Sequence, residues 1–183
     1  FQEDREVAAW FVLDLSGSVD FGSQQLRKRA LASELVAVLA RLFTRYGNRV
    51  GAVLHSEHAS EVIPARSGRR HVLHIMHRMM NRPRLTLAPA TNLNELLRAG
   101  FDVMKRRSVV FVVSDFISAP GWGKMLAHLA ERHEIVAVRL YDPLEMTLPE
   151  LGMVLMQDAE TGEQIFVDTG ARGFRQRLEA AAE

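Results

Sequence analysis

The sequence predicts an α/β domain built on a doubly wound, mostly parallel, Rossmann-like sheet flanked by helices. Three observations predict it. Val7–Leu13 and Val109–Val113 are apolar on both alternations, the pattern of strands buried on both faces. Helical periodicity fills much of the chain between strand-like runs, so strands and helices alternate. Finally, Asp14 ends the first run and Asp115 follows Ser108–Ser114. Open α/β sheets bind ligands beyond the C-terminal ends of their strands, so both carboxylates stand where such a sheet does its chemistry.

Each element follows from local signals. After the first strand a helix is expected from about Ser23, with Leu31, Leu35, Val38, Leu39, Leu42 and Phe43 as its inner stripe. Gly47-Asn48 ends it. Arg49–His55 reads as a second strand and Ala59–Ile63 as a short edge strand. Arg69–Asn81 reads as a helix closed by Pro83. Asn92–Lys105 is another, capped by Thr91 or Asn92. Pro120–Arg132 is a helix with proline near its first turn, and Glu134–Leu140 a further strand. Asp142–Gly152 reads as a connector holding solvated or capping acids. Met153–Gln157 and Gln164–Val167 form a terminal strand pair, and Gly173–Ala182 a closing helix. No repeat, long linker or low-complexity tract divides the chain, so residues 1–183 read as one domain.

Residues 14 to 18 are Asp-Leu-Ser-Gly-Ser. Alternate residues of an extended segment point the same way, so Asp14, Ser16 and Ser18 turn three oxygen-bearing side chains toward one point. Such hard oxygen ligands suit a hard cation, Mg²⁺ first, with Mn²⁺ or Ca²⁺ as alternatives. Gly17 permits the bend between the serines. Thr91, just before a helix, and Asp115 reach the same rim if the first strand and Val109–Val113 are neighbours. Together Asp14, Ser16, Ser18, Thr91 and Asp115 resemble the metal-ion-dependent adhesion site (MIDAS) of von Willebrand factor A domains. The plainer reading of the pentapeptide alone is a turn.

The bulk composition excludes other classes. The chain of 183 residues is long enough for one α/β domain with a full core. It is 48% hydrophobic and 25% charged, ordinary for a globular protein. There is no cysteine, which removes disulfides, thiolate catalysis and Cys-ligated zinc. A formal net charge of +1 does not argue for nucleic acid. No run approaches the roughly 20 apolar residues that span a bilayer. The chain begins with Phe1, so it reads as part of a longer protein. The expected location is cytoplasmic, with a membrane tether through an upstream part left open.

The similarity extends past the metal motif. Leu13–Ser23, Gly47–Gly51, Val113–Phe116 and Arg132–Arg139 resemble the corresponding stretches of the bacterial DUF58 proteins, which carry a von Willebrand A-like domain. So do Asp142–Glu145, Leu148–Gly152 and Asp158–Gly162. Ala88-Pro-Ala90 departs from the Gly-rich sequence common before the threonine. The resemblance implies that the hydroxyls touch the metal while the aspartates act partly through water. A Lewis-acidic position is then left for a Glu or Asp of a partner protein. It further implies partnership with a MoxR-type AAA+ ATPase in chaperone-like assembly or maturation of other proteins.

A binding module, not an enzyme, is the expectation. The alternative is a Mg²⁺-dependent phosphatase or phosphotransferase with Asp14 as nucleophile. Haloacid-dehalogenase-like phosphatases place a second Asp two residues on, where this chain has Ser16. No Gly-x-Gly-x-x-Gly and no P-loop is present.

Residues 62–94 hold Arg66, Arg69, Arg70, Arg78, Arg82 and Arg84 with no Asp or Glu. They read as a solvated helix face, or as a field drawing an acidic partner to the metal rim. Without interleaved aromatics they do not read as a nucleic-acid site. His71, His74 and His77 are spaced too widely around a helix for a soft-metal site. Met76, Met79 and Met80 read as core or interface contacts. Trp122 is either an exposed anchor or a lid over the sheet edge. Asp20 lies outside the ligand spacing.

Overall fold

The computed structural model describes residues 7–16, 28–56, 59–81, 92–142, 152–157 and 164–168. The closing helix expected over 173–182, most of the connector after Asp142, and Ser18 and Thr91 lie outside them.

Five strands form one sheet in the order β3-β2-β1-β4-β5. They are β1 (Ala8–Asp14), β2 (Arg49–Ser56), β3 (Ala59–Arg66), β4 (Ser108–Ser114) and β5 (Glu134–Arg139). β2, β1, β4 and β5 are parallel, and β3 is antiparallel at the edge. The chain winds outward from β1 through β2 to β3, then returns to lay β4 on the other side of β1 and β5 beyond it. The winding direction therefore reverses between β1 and β4.

The double burial of the central strands follows from what covers them. Ala9, Phe11 and Leu13 pack beneath α1 (Lys28–Arg45) and α2 (Arg69–Met80). Trp10 and Val12, on the opposite face, pack against α3 (Leu93–Val103) and α4 (Trp122–Arg132). Phe11 stacks on Phe111 at 5.3 Å, and Phe43 meets Phe111 edge-on at 5.8 Å. A separate antiparallel pair, β6 (Met153–Gln157) and β7 (Gln164–Asp168), follows as expected.

The structure corrects several local expectations. The inner stripe of α1 is Ala32, Val36 and Ala40, flanked by half-buried Leu35, Leu39 and Phe43. Leu31, Val38 and Leu42 face outward. Small residues face the sheet because the bulky Phe11 and Phe111 already fill that layer. Helix α1 ends as expected: Gly47 takes φ +78°, its N–H bonds Thr44 and the N–H of Asn48 bonds Phe43. Strand β3 runs past Pro64 to Arg66, which an edge strand tolerates because one side of its backbone has no ladder partner among the described strands. Asn92 caps α3 by accepting from the Glu95 N–H, and its own amide donates to the Glu95 carboxylate. Helix α4 begins at Trp122, after Pro120.

Candidate metal centre

Asp14 closes β1 and is 1% exposed. Its Oδ1 accepts the Ser16 N–H at 3.0 Å, which folds the chain back after the strand. Its Oδ2 accepts the hydroxyl of Ser114, the last residue of β4, at 2.8 Å. Parallel pairing of β1 with β4 thus brings the two strand ends together and delivers Asp115 to the same rim. Burial pushes the Asp14 carboxyl above its usual pKa. Its hydrogen bonds from Ser16 and Ser114 pull the other way, and the nearby Asp115 charge adds to the rise.

Asp115 is equally buried. Its Oδ1 accepts the Ile117 N–H at 3.0 Å. Its Oδ2 accepts no hydrogen bond among the described residues, and the Lys28 ammonium lies 3.5 Å away, also buried. Phe116, between Asp115 and Ile117 in sequence, is the described non-glycine residue with positive φ, at 61°. That conformation is costly for an aromatic residue, and such strain concentrates at functional loops. It is held by the Phe116 N–H, which donates to Ser114 Oγ at 3.0 Å. The next turn reaches across to α3: Ser118 Oγ accepts the Leu93 N–H at 3.0 Å. The residue two places after Thr91 is therefore anchored to the Asp115 loop.

Of the five residues expected to form the site, the structure brings Asp14, Ser16 and Asp115 together at the rim. Ser18 and Thr91 fall outside the described residues. Three neighbours went unrecognised in the sequence. Ser114 was read only as the end of an apolar run. Lys28 was read only as part of a helix. His55, directly beside Asp14 in the β1–β2 register, is 3% exposed with Nδ1 at 2.9 Å from Ser60 Oγ. Asp142 is also buried rather than solvated.

The residues fit a hard divalent cation. A buried Asp115 oxygen that accepts no hydrogen bond among the described residues, a second buried carboxylate and the buried Ser16 converge on one rim, where positive charge beyond that of Lys28 offsets their desolvation. Among the described residues no group of three or more His, Cys, Asp or Glu converges.

The other candidates take simpler places. His71 bonds the Val50 carbonyl at 2.8 Å and His77 contacts the Asn81 amide. Met79 is fully buried while Met80 is exposed. Trp122 is half-buried against the α3–α4 side of the core with its ring 5.4 Å from that of Phe116, so it packs on the core and does not stand free. Of the described arginines in the basic stretch, Arg66, Arg69 and Arg70 stand away from the rim. Arg66 pairs with Val50 near the N-terminal end of β2, and Arg69 and Arg70 start the helix just beyond. Arg78 is bound to Glu61 at 2.7 Å, and Arg82 and Arg84 lie outside the described residues.

A mixed α/β unit with buried carboxylates at the switch in winding is the class that fold and site define. The chain belongs to the family described as "Protein of unknown function DUF58", which matches residues 1–183. It is 33% identical over 180 residues to protein Rv1480 of Mycobacterium tuberculosis, covering 97% of this chain and 57% of that protein. The chain thus spans little more than half the length of its curated relatives. Among solved structures it resembles an aerotolerance-related membrane protein from Bacteroides fragilis, with TM-score 0.64 and 13% identity. That match covers 96% of this chain and 88% of the other. It also resembles BatB from Bacteroides thetaiotaomicron, with TM-score 0.59 and 13% identity over 96% of this chain and 86% of that one. Both likenesses concern the fold. Among the described residues no helix is long and apolar enough to cross a membrane.

Proposed function

We propose that the chain is a von Willebrand factor A-like, non-enzymatic interaction domain whose MIDAS-type site takes a divalent cation, Mg²⁺ foremost. Asp14, Ser16, Ser18, Thr91 and Asp115 hold the ion. One observation carries the reading: carboxylates from the ends of two adjacent parallel strands meet at one rim, tied through Ser114, with a buried Asp115 oxygen that accepts no hydrogen bond among the described residues. The anchoring of Leu93 to Ser118 supports the inclusion of Thr91. The ion supplies a Lewis-acidic position for a Glu or Asp of a partner protein. Both Asp14 oxygens already accept hydrogen bonds and the side chain is 1% exposed, which favours an organising role over attack on a phosphate.

Partnership with a MoxR-type AAA+ ATPase, in assembly or maturation of other proteins, is part of the proposal and rests on the resemblance of the motifs. So is a membrane tether in the remainder of the full-length protein. The Bacteroides fragilis neighbour is described as a membrane protein.

Calorimetric titration with Mg²⁺ and Mn²⁺ tests the site, on the wild type and on Asp14→Ala. A single site lost in the variant is the expected result, with circular dichroism unchanged because Asp14 stands at the rim. Absence of binding to the wild type at millimolar metal would sink the proposal. Turnover of a phosphate ester abolished by Asp14→Asn would replace it with the phosphatase reading.

A further inference from the structure

The α1–α2 face carries a second feature, remote from the carboxylates. A groove of about 580 Å³ runs between the C-terminal half of α1 and the start of α2. Its floor is Ala37, Val72 and Met76, with Leu73 on one flank. Arg41, Arg45 and Arg69 line it as well and are exposed. Among the described residues none of these three guanidinium groups has a carboxylate partner.

The topology separates this groove from the metal rim. Arg45 lies four residues before Arg49, and Arg49 pairs with Ala8 at the start of β1. Arg69 follows Arg66, which pairs with Val50. The groove therefore opens toward the N-terminal end of the parallel strands. Asp14 sits at the other end of a seven-residue strand, about 20 Å away at the rise of extended chain.

The charge of the two helices that form it is one-sided. Residues 35–56 and 62–94 contain neither Asp nor Glu, and Glu34 is the one acid in the two helices. Yet the chain as a whole carries a formal charge of only +1. Leu73 is 57% exposed, and Val38 and Leu42 stand outward at i and i+4 on α1. An apolar trough lined by three exposed arginines, without carboxylate partners among the described residues, and by the exposed Leu73 is the complement of a helix with one apolar and one acidic face.

We propose that this groove docks an acidic amphipathic helix of a partner protein, independently of the metal rim. The apolar floor is recessed between two helices, where a flat bilayer does not reach it. A second copy of this face would set arginine against arginine, which charge repulsion disfavours.

The test is fluorescence anisotropy with a labelled helical peptide carrying a Leu/Ala face and a Glu face. The control is a scrambled peptide of the same composition. The wild type is expected to bind the periodic peptide at least about tenfold more tightly than the scramble, with affinity falling as salt rises. The double substitution Arg41→Glu and Arg45→Glu is expected to cost at least about tenfold, and a peptide with Lys in place of Glu to recover binding to it. Leu73→Ser, at an exposed position, is expected to weaken binding without changing the circular dichroism. EDTA is expected to leave the affinity unchanged, which separates this groove from the metal reading. Equal binding of the scramble, no binding, or insensitivity to the Arg41 and Arg45 reversal would overturn the proposal. So would preferential sedimentation with phosphatidylglycerol vesicles, or self-association abolished by the same reversal.

Discussion

Ser114 reaches a carboxylate one hundred residues earlier in the chain. That bond, with the Lys28 ammonium 3.5 Å from Asp115, partly offsets the two carboxylates, so the rim is not a bare acidic pair. Lys28 already stands on Asp115, a carboxylate that the proposed cation needs, so it competes with the ion. Lys28→Met is expected to destabilise the metal-free protein by about 3 kcal/mol, because it leaves Asp115 buried beside Asp14 without its cation. It is also expected to tighten Mg²⁺ binding, so that added Mg²⁺ restores the melting temperature. Thermal melts with EDTA and with Mg²⁺ check both parts. A variant with wild-type stability and unchanged metal affinity would remove Lys28 from the site. Asp14 and Asp115 were legible in the sequence because each ends or follows an apolar run. Ser114 and Lys28 were not. A serine ending a strand and a lysine within a helix carry no local signal, and their roles come from a neighbour brought in by pairing.

The elements were legible where a single local force decides them. Glycine at a positive φ ends α1, Asn92 starts α3, and unbroken apolar runs form β1 and β4. What the sequence misjudged is the rotation of α1, because Ala32, Val36 and Ala40 rank below leucine in hydrophobicity yet face a layer already filled by phenylalanines. The β1–β2 pair shows how close such packing runs. Gly51 is the register partner of Trp10, and a Cβ built on it would stand 2.7 Å from the indole carbons Cε3 and Cζ3. Gly51→Ala therefore forces the Trp10 ring to shift within a packed core. It is expected to cost about 1–3 kcal/mol, read as a lower midpoint in urea. An unchanged midpoint would mean that the indole moves aside freely.

At the scale of the whole molecule, stability should depend on pH through buried imidazoles. His133, between α4 and β5, is 4% exposed, and neither ring nitrogen has a hydrogen-bond partner among the described residues. Burial, and Arg132 beside it, hold its pKa below the usual histidine value. Burial lowers His71 as well, against the pull of its bond to the Val50 carbonyl. The unfolded chain takes up these protons near pH 6.5, while the folded chain takes them up only at lower pH. Stability is thus fully present above that range and is lost as pH falls through it toward the folded values. Asp14 has the opposite sign: its raised pKa protonates the folded state first, so its contribution grows on acidification. His133→Phe is expected to flatten the fall in melting temperature between about pH 7.5 and 5.5, measured in EDTA. An unchanged slope would assign the dependence to other groups.

The sequence by itself determined the alternation of strands and helices, the two doubly buried strands and the carboxylates at their ends. Each is a short-range pattern of hydrophobicity, and the hydrophobic effect acts on such patterns directly. The tertiary structure alone decided that β4 lies beside β1, that Ser114 and Lys28 stand on the two carboxylates, and that Arg66, Arg69 and Arg70 gather at the end opposite Asp14. These depend on sheet order and on the direction in which each helix returns across the sheet, which are set by packing between residues far apart in the chain.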